Sequence, residues 1–139
     1  MASAQDNKFE MTIRSSLEEI EAVERMAERA ADKMKFNEEE KDSLAIAVTE
    51  AVNNAIIHGN GQDKRKRVHI RFRFEENSLQ VSIRDQGKGF NPEKISDPLA
   101  PENLLKESGR GVFILSTLMD DVKFAFDNGT EIILVKHKK

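Results

Sequence analysis

The stretch "EAVNNAIIHG", residues 50–59, sets a carboxylate and two carboxamides among Ala, Val and Ile. Polar groups in such company cost free energy unless a partner satisfies them. Glu50 and Asn54 are four residues apart, so on a helix they share a face, one turn from each other. A carboxylate and a carboxamide oxygen aimed together suit a hard cation and a polarised water or hydroxyl. Alone, the pair also fits a solvated helix edge, because exposed Glu and Asn are common. Asn53 reads as structural.

Two further stretches carry chemistry. In "DQGKGF", 85–90, Asp85 ends a strand and Gly87 and Gly89 follow. A fixed carboxylate there accepts a hydrogen bond from an exocyclic amine, and glycines let a flat ring approach the backbone. An ordinary glycine turn after a strand has the same pattern. In "SGRGV", 108–112, two glycines precede an apolar run. Free backbone N–H groups and the positive end of a helix dipole make such a start a phosphate site, with Arg110 as a charge partner. A flexible loop with an N-cap serine reads the same way. It is not a Walker A loop, which needs Gly-Lys followed by Ser or Thr.

The elements that must position these residues follow from periodicity. Residues 9–13 alternate as a half-buried strand. Ser16 and Glu19 have capping-box spacing, and the helix they open puts Leu17, Ile20, Val23, Ala27, Ala30 and Met34 on one stripe. Asn37 and Glu40 open a second helix that runs to about His58, with Gly59 as its stop. Leu44, Val48, Ala51, Ala55 and Ile56 line one side of it and Ile46 and Ile57 nearly the other, so it is expected to be substantially buried. Residues 68–74 and 79–84 read as a hairpin, and 122–126 and 130–137 as another around "DNG". Between them, 85–108 loses periodicity and holds all three prolines, which suits a lid. A helix over 111–120 is expected just after the glycines. The fold class is α+β, a two-layer sandwich with one mixed, mostly antiparallel sheet covered on one face by helices.

Bulk properties narrow the function classes. The 139 residues fit one domain, with a core of useful size. A net charge of −3 argues against general nucleic-acid binding, and the lack of Trp and Tyr argues against base stacking. With no cysteine, disulfides and thiolate metal sites are excluded. No signal peptide or membrane-spanning run is visible, so the cytoplasm is the expected location. The "KRKR" run at 64–67 reads as a solvated loop, His58 as a helix-end histidine, and Met26, Met34 and Met119 as core filler.

Taken in order, the Glu–Asn helix, the Asp–Gly–Gly strand end, the Pro-rich loop and the Gly-rich helix start resemble the N, G1 and G2 boxes of the GHKL ATPase superfamily. "EAVNNAIIHG", "IRDQGKGF" and "ESGRGVFILSTLMDDVKF", followed by "GTEIILVKH", are similar to the bacterial anti-sigma factor serine kinases, short stand-alone domains of that superfamily. The resemblance covers nearly the whole chain and implies the Bergerat, or histidine-kinase-like, ATPase fold. It implies ATP or ADP as ligand, with Asp85 accepting the adenine amino group. Gly87 and Gly89 would shape the base pocket, with Thr130 near it. Asn54 would hold Mg2+, and Ser108, Gly109, Arg110 and Gly111 would wrap the phosphates. Glu50 would be the catalytic base for a serine hydroxyl. Glu107 stands where the family often has a basic residue, which leaves that role to Arg110. The implied partners are a sigma factor and an anti-anti-sigma antagonist of the STAS type, with a homodimer expected. The alternatives are a nucleotide-binding regulatory module without transfer, and a detached histidine-kinase-type domain.

Overall fold

Strands with one apolar and one polar edge have one face each to bury, and they bury it together. In the computed structural model, which describes residues 7–87, 107–126 and 129–139 (107–112 and 126 by backbone alone), five of them form one sheet. These are β1 (Lys8–Arg14), β2 (Arg67–Phe74), β3 (Ser78–Arg84), β4 (Asp121–Phe126) and β5 (Thr130–His137), in spatial order β1-β2-β3-β5-β4. Every described pairing is antiparallel, so the sheet is not mixed. Register sets Met11, Ile70, Ile83, Ile132 and Phe124 in one row across all five strands. Beside that row Phe72, Val81 and Leu134 are fully buried, and each such side chain contributes about 1.5–3 kcal/mol. The opposite face is solvated and charged, with Glu10 paired to Lys8 at 3.0 Å and to Arg71 at 3.2 Å.

Helices α1 (Ile20–Met34), α2 (Glu38–Asn54) and α3 (Glu107–Leu118) accompany the sheet. Ser16 caps the short 3₁₀ turn Leu17–Glu19 that runs into α1, its hydroxyl accepting from Glu18 N. Leu17 itself is 47% exposed and does not join the stripe expected of it, because it lies in that turn before the helix settles. Met34 and Met119 are buried and Met26 is half-buried, as core filler should be. Asn37 and Glu40 form the expected capping box, with both hydrogen bonds at 2.8 Å.

Two further expectations need correction. Ile46 is 54% and Ile57 37% exposed, so α2 is buried along one stripe, and these two isoleucines stand outside the core. Helix α3 starts at Glu107, so the "SGRG" run is its first turn rather than a loop ahead of it. The Pro-rich stretch from 88 to 106, including Gly89, lies outside the described residues, as do 127 and 128 of the second hairpin. No helix of the described residues is long and apolar enough to cross a membrane.

The end of the sheet is tied to the helices by one carboxylate. Glu40 accepts from Asn37 N and, at 2.8 Å, from Lys139 N, while Lys136 Nζ donates to Leu118 O. Burial opposes the charge on Glu40. The two N–H groups and the charges of Lys136 and Lys139 outweigh it and hold the carboxyl below its ordinary 4.5. A depressed folded pKa gives stability that is present above the unfolded value and lost as pH falls through the folded one. Glu40→Gln is therefore expected to unfold at lower urea than the parent at pH 7. The gap should narrow as pH falls below about 4.5, the carboxyl's ordinary value. A gap that ignores pH would assign Glu40's contribution to packing alone. Asn37→Ala, which removes the other half of the box, should cost about 1 kcal/mol in the same assay.

Candidate functional site

Strand β3 carries its alternation one step past its end, and Asp85 falls on the buried side at 4% exposure. A carboxylate there needs donors. Its Oδ1 accepts from Gly87 N at 2.9 Å and Thr130 N at 3.0 Å, and its own N–H donates to Thr130 O at 3.0 Å. Oδ2 makes no hydrogen bond to the described residues and lies against the Cα side of Gly59. A methyl group at Gly59 would land on that oxygen, and one at Gly87 would land on Gly59 O. The missing side chains let the backbone of Gly59 and Gly87 pack directly against this carboxylate.

What brings Gly59 there is a change of helical pitch. After Asn54 the chain winds through a π-helical turn, Ala55–Gly59, before the bend at Asn60. π turns inside α-helices recur at functional sites because the extra residue redirects the backbone. Asn60, only 3% exposed, then locks the turn to the sheet. Its Nδ2 donates to Ser15 Oγ at 2.6 Å and Arg67 O at 2.9 Å, and its Oδ1 accepts from Gln86 N at 2.8 Å. Gln86 returns a bond from its own side chain, Oε1 accepting from Arg67 N. One carboxamide thus fixes the residue next to Asp85 against β1 and β2.

Glu50 and Asn54 lie up the same helix, one turn apart, both half-buried. Neither makes a hydrogen bond or ion pair with the described residues. They flank the core stripe rather than sit inside it, so no internal partner is required of them. Glu50 is about 13 Å along the axis from Gly59, at 1.5 Å per residue. Helix α3 packs on α2, and its first four N–H groups have no partner within the helix. Ser108, Gly109, Arg110 and Gly111 supply that turn; Gly89 lies outside the described residues. His58 is exposed, and the "KRKR" run leads into β2 from a turn in which Asp63 is held at about 2 by the Arg65 guanidinium. No cluster of three His, Asp or Glu suited to a metal exists among the described residues. A cation would have to rely on Asn54 and on ligand oxygens, which is how Mg2+ at phosphates is often held.

Asp85, Gly87 and Thr130 are thus brought into direct contact. Gly59, Asn60, Ser15 and Gln86 were not singled out in the sequence. Gly59 read only as a helix stop, a reading that does not distinguish a structural residue from a spacer. The clamp makes a sharp prediction. Asn60→Ala leaves Gln86 N and Arg67 O without their side-chain partner, and should destabilise by about 3 kcal/mol at 1–3 kcal/mol per stranded group. Urea unfolding of Asn60→Ala checks this; a loss under about 1 kcal/mol would mean that the side chain does not anchor the turn.

Comparison with known proteins agrees with this architecture. Residues 13–136 match the histidine kinase-like ATPase domain family. The serine-protein kinase RsbW of Oceanobacillus iheyensis is 31% identical over 135 residues, 93% of this chain and 85% of that protein. The crystal structure of the RsbU and RsbW domains of Rv1364c from Mycobacterium tuberculosis superposes with a TM-score of 0.70 at 13% identity, over 94% of this chain and 32% of that longer one. The mycobacterial sensor histidine kinase MprB superposes with a TM-score of 0.56 at 17% identity, over 94% of this chain and 99% of that one. With the sheet order, the π turn and the buried Asp85 already in place, these likenesses make the chain a member of the histidine kinase-like ATPase family, in the branch that holds the RsbW serine-protein kinases.

Proposed function

We propose that this chain is an ATP-dependent anti-sigma factor. On this reading it phosphorylates a serine on an anti-anti-sigma antagonist of the STAS type and sequesters a sigma factor by partner switching. It works as a single nucleotide-binding domain over 1–139, as a homodimer in the cytoplasm. The observation that carries the reading is Asp85: a buried carboxylate with one oxygen committed to backbone donors and the other, against Gly59, without a hydrogen bond to the described residues. Adenine donates its amino group to that oxygen, with Thr130, Gly87 and Gly89 framing the ring. Ser108, Gly109, Arg110 and Gly111, at the start of α3, hold the phosphates. ADP occupies the same site after transfer.

Glu50 and Asn54 fit the reacting end. Their side-chain oxygens are unengaged by the described residues, half-buried and one turn apart, on the helix whose far end meets Asp85. Mg2+, when bound, neutralises phosphate charge. Asn54 would hold it through its carboxamide oxygen. Glu50 accepts the proton of the partner's serine as the serine oxygen bonds to the γ-phosphorus, and the bond from that phosphorus to the bridging oxygen of ADP breaks. Such transfer depends on positioning and charge stabilisation, so a base of ordinary carboxylate strength suffices.

Calorimetric titration with ATP and ADP, with and without Mg2+, tests the pocket. Asp85→Asn turns an acceptor into an amide and should weaken ATP binding about 10- to 100-fold, the worth of a charge-assisted hydrogen bond. Gly59→Ala should weaken it as well, by driving a methyl group into the same oxygen. Wild-type affinity in both variants would remove the base-pocket assignment. Glu50→Ala should retain ATP binding and lose roughly 10²–10⁴-fold in phosphoserine formation. ATP binding without any phosphoserine in the parent would instead indicate a nucleotide-gated binding module.

A further inference from the structure

The outer side of α2 has a feature that nucleotide binding does not use. Ile46, Glu50, Asn53 and Ile57 follow one another at i, i+4, i+7 and i+11, so they form a ridge away from the core stripe. Both isoleucines are exposed, Ile46 by 54%. On the α1 side of this ridge lies a groove of about 580 Å³, lined by residues of α1 and α2. Ala45 and Ile46 give it apolar lining, and Glu24, Glu28, Glu38 and Asp42 give it carboxylate walls. Lys41 is its one basic side chain among the described residues, and Asp32 already pairs with it at 2.9 Å. None of the four wall carboxylates has an ion pair with a described residue. Glu50 closes the groove at its far end. At 100° per residue, Asn54 follows only about 40° further around the helix. Glu50 therefore stands between the groove and the side of α2 that faces the nucleotide.

We propose that this groove docks a basic segment of the protein substrate, one carrying an aliphatic side chain for Ile46 and Lys or Arg for the carboxylate walls. Three observations select this occupant. An exposed aliphatic side chain in a concave surface calls for an apolar partner. Four unpaired carboxylates repel an acidic chain and steer a basic one. A chain lying in the groove ends at Glu50, where the serine hydroxyl must be. From Glu38 to Glu50 the groove runs about 18 Å along the helix, room for five or six extended residues. The assignment of the segment to the serine-bearing partner rests on the kinase reading above; the docking chemistry does not.

The probe is a labelled twelve-residue peptide with Lys, Arg and Leu around one serine, with a control in which Glu replaces every Lys and Arg. Fluorescence anisotropy reads binding, and a phosphoserine assay with Mg2+ and ATP reads KM and kcat. Glu24→Lys combined with Glu28→Lys should weaken peptide binding and raise KM about tenfold, with kcat and ATP affinity unchanged. Ile46→Ser should act in the same direction, several-fold. Glu75→Lys with Glu76→Lys makes the same charge change on the exposed turn after β2 and should leave both values alone. An unaltered KM in the first double variant, or an equal rise in the second, overturns the groove. Groove-dependent binding with no phosphoserine in the parent would sustain the docking site and overturn the kinase reading.

Discussion

Asp85 Oδ1 takes the N–H groups of Gly87 and Thr130, and Thr130 takes the N–H of Asp85 in return. Through these bonds one buried side chain joins the end of β3, the turn after it and the start of β5. The free oxygen meets the π turn at Gly59, so the end of α2 joins the same point. Desolvating a carboxylate is unfavourable, and two donors on one oxygen offset only part of that cost. Oδ2 is left without a hydrogen bond to the described residues, and on the proposed reading it is the oxygen that a bound amine would reach. On that reading stability and recognition meet at this residue.

Much of this was legible because periodicity and capping are local. The alternation of 68–74 and 79–84 predicts a hairpin with one apolar face, and the register bears that out row by row. Asn37 and Glu40 announce their capping box through spacing alone. The misreadings have physical reasons. Ile46 and Ile57 look like core because a helical wheel reports apolarity and says nothing of what lies opposite; here nothing in the described chain covers them. The glycines at 109 and 111 look like a loop because their helix propensity is poor, yet the chain winds helically through them before the apolar run that packs on α2. The Asn60 clamp was invisible for a different reason. Its partners are 45 residues away at Ser15 and 26 residues away at Gln86, and no local rule connects them.

Charge shows the same contrast between local and spatial reading. A net −3 describes a mildly acidic protein. Folding separates that small sum into unlike surfaces. The outer sheet face gathers Arg67, Arg71 and Arg73 from β2 alone, while Glu24, Glu28, Glu38 and Asp42 converge from two helices on the groove. Alternation within a strand and the i, i+4 spacing on a helix are enough to do this sorting. Composition could exclude general nucleic-acid affinity, but it could not reveal that the helix side carries unpaired acid.

Helix α2 has to serve three surfaces, and that limits how it can be built. Its inner stripe, from Leu44 through Ala51 to Ile56, must be apolar to bury against the sheet. Its flank must keep Glu50 and Asn54 unengaged, and its end must bring a side-chain-free residue against Asp85. A regular α-helix advances 100° per residue, so one register cannot satisfy all three demands over five turns. The π turn resolves the conflict. It leaves the register of Leu44–Asn54 to the core and the polar flank, then shifts phase so that Gly59 meets Asp85. Asn60 is needed immediately afterwards because a π turn is a weakly favoured conformation, and its three side-chain hydrogen bonds to β1, β2 and Gln86 hold the shifted end in place. The irregular stretch thus ends on a residue tied by its side chain to three other parts of the chain.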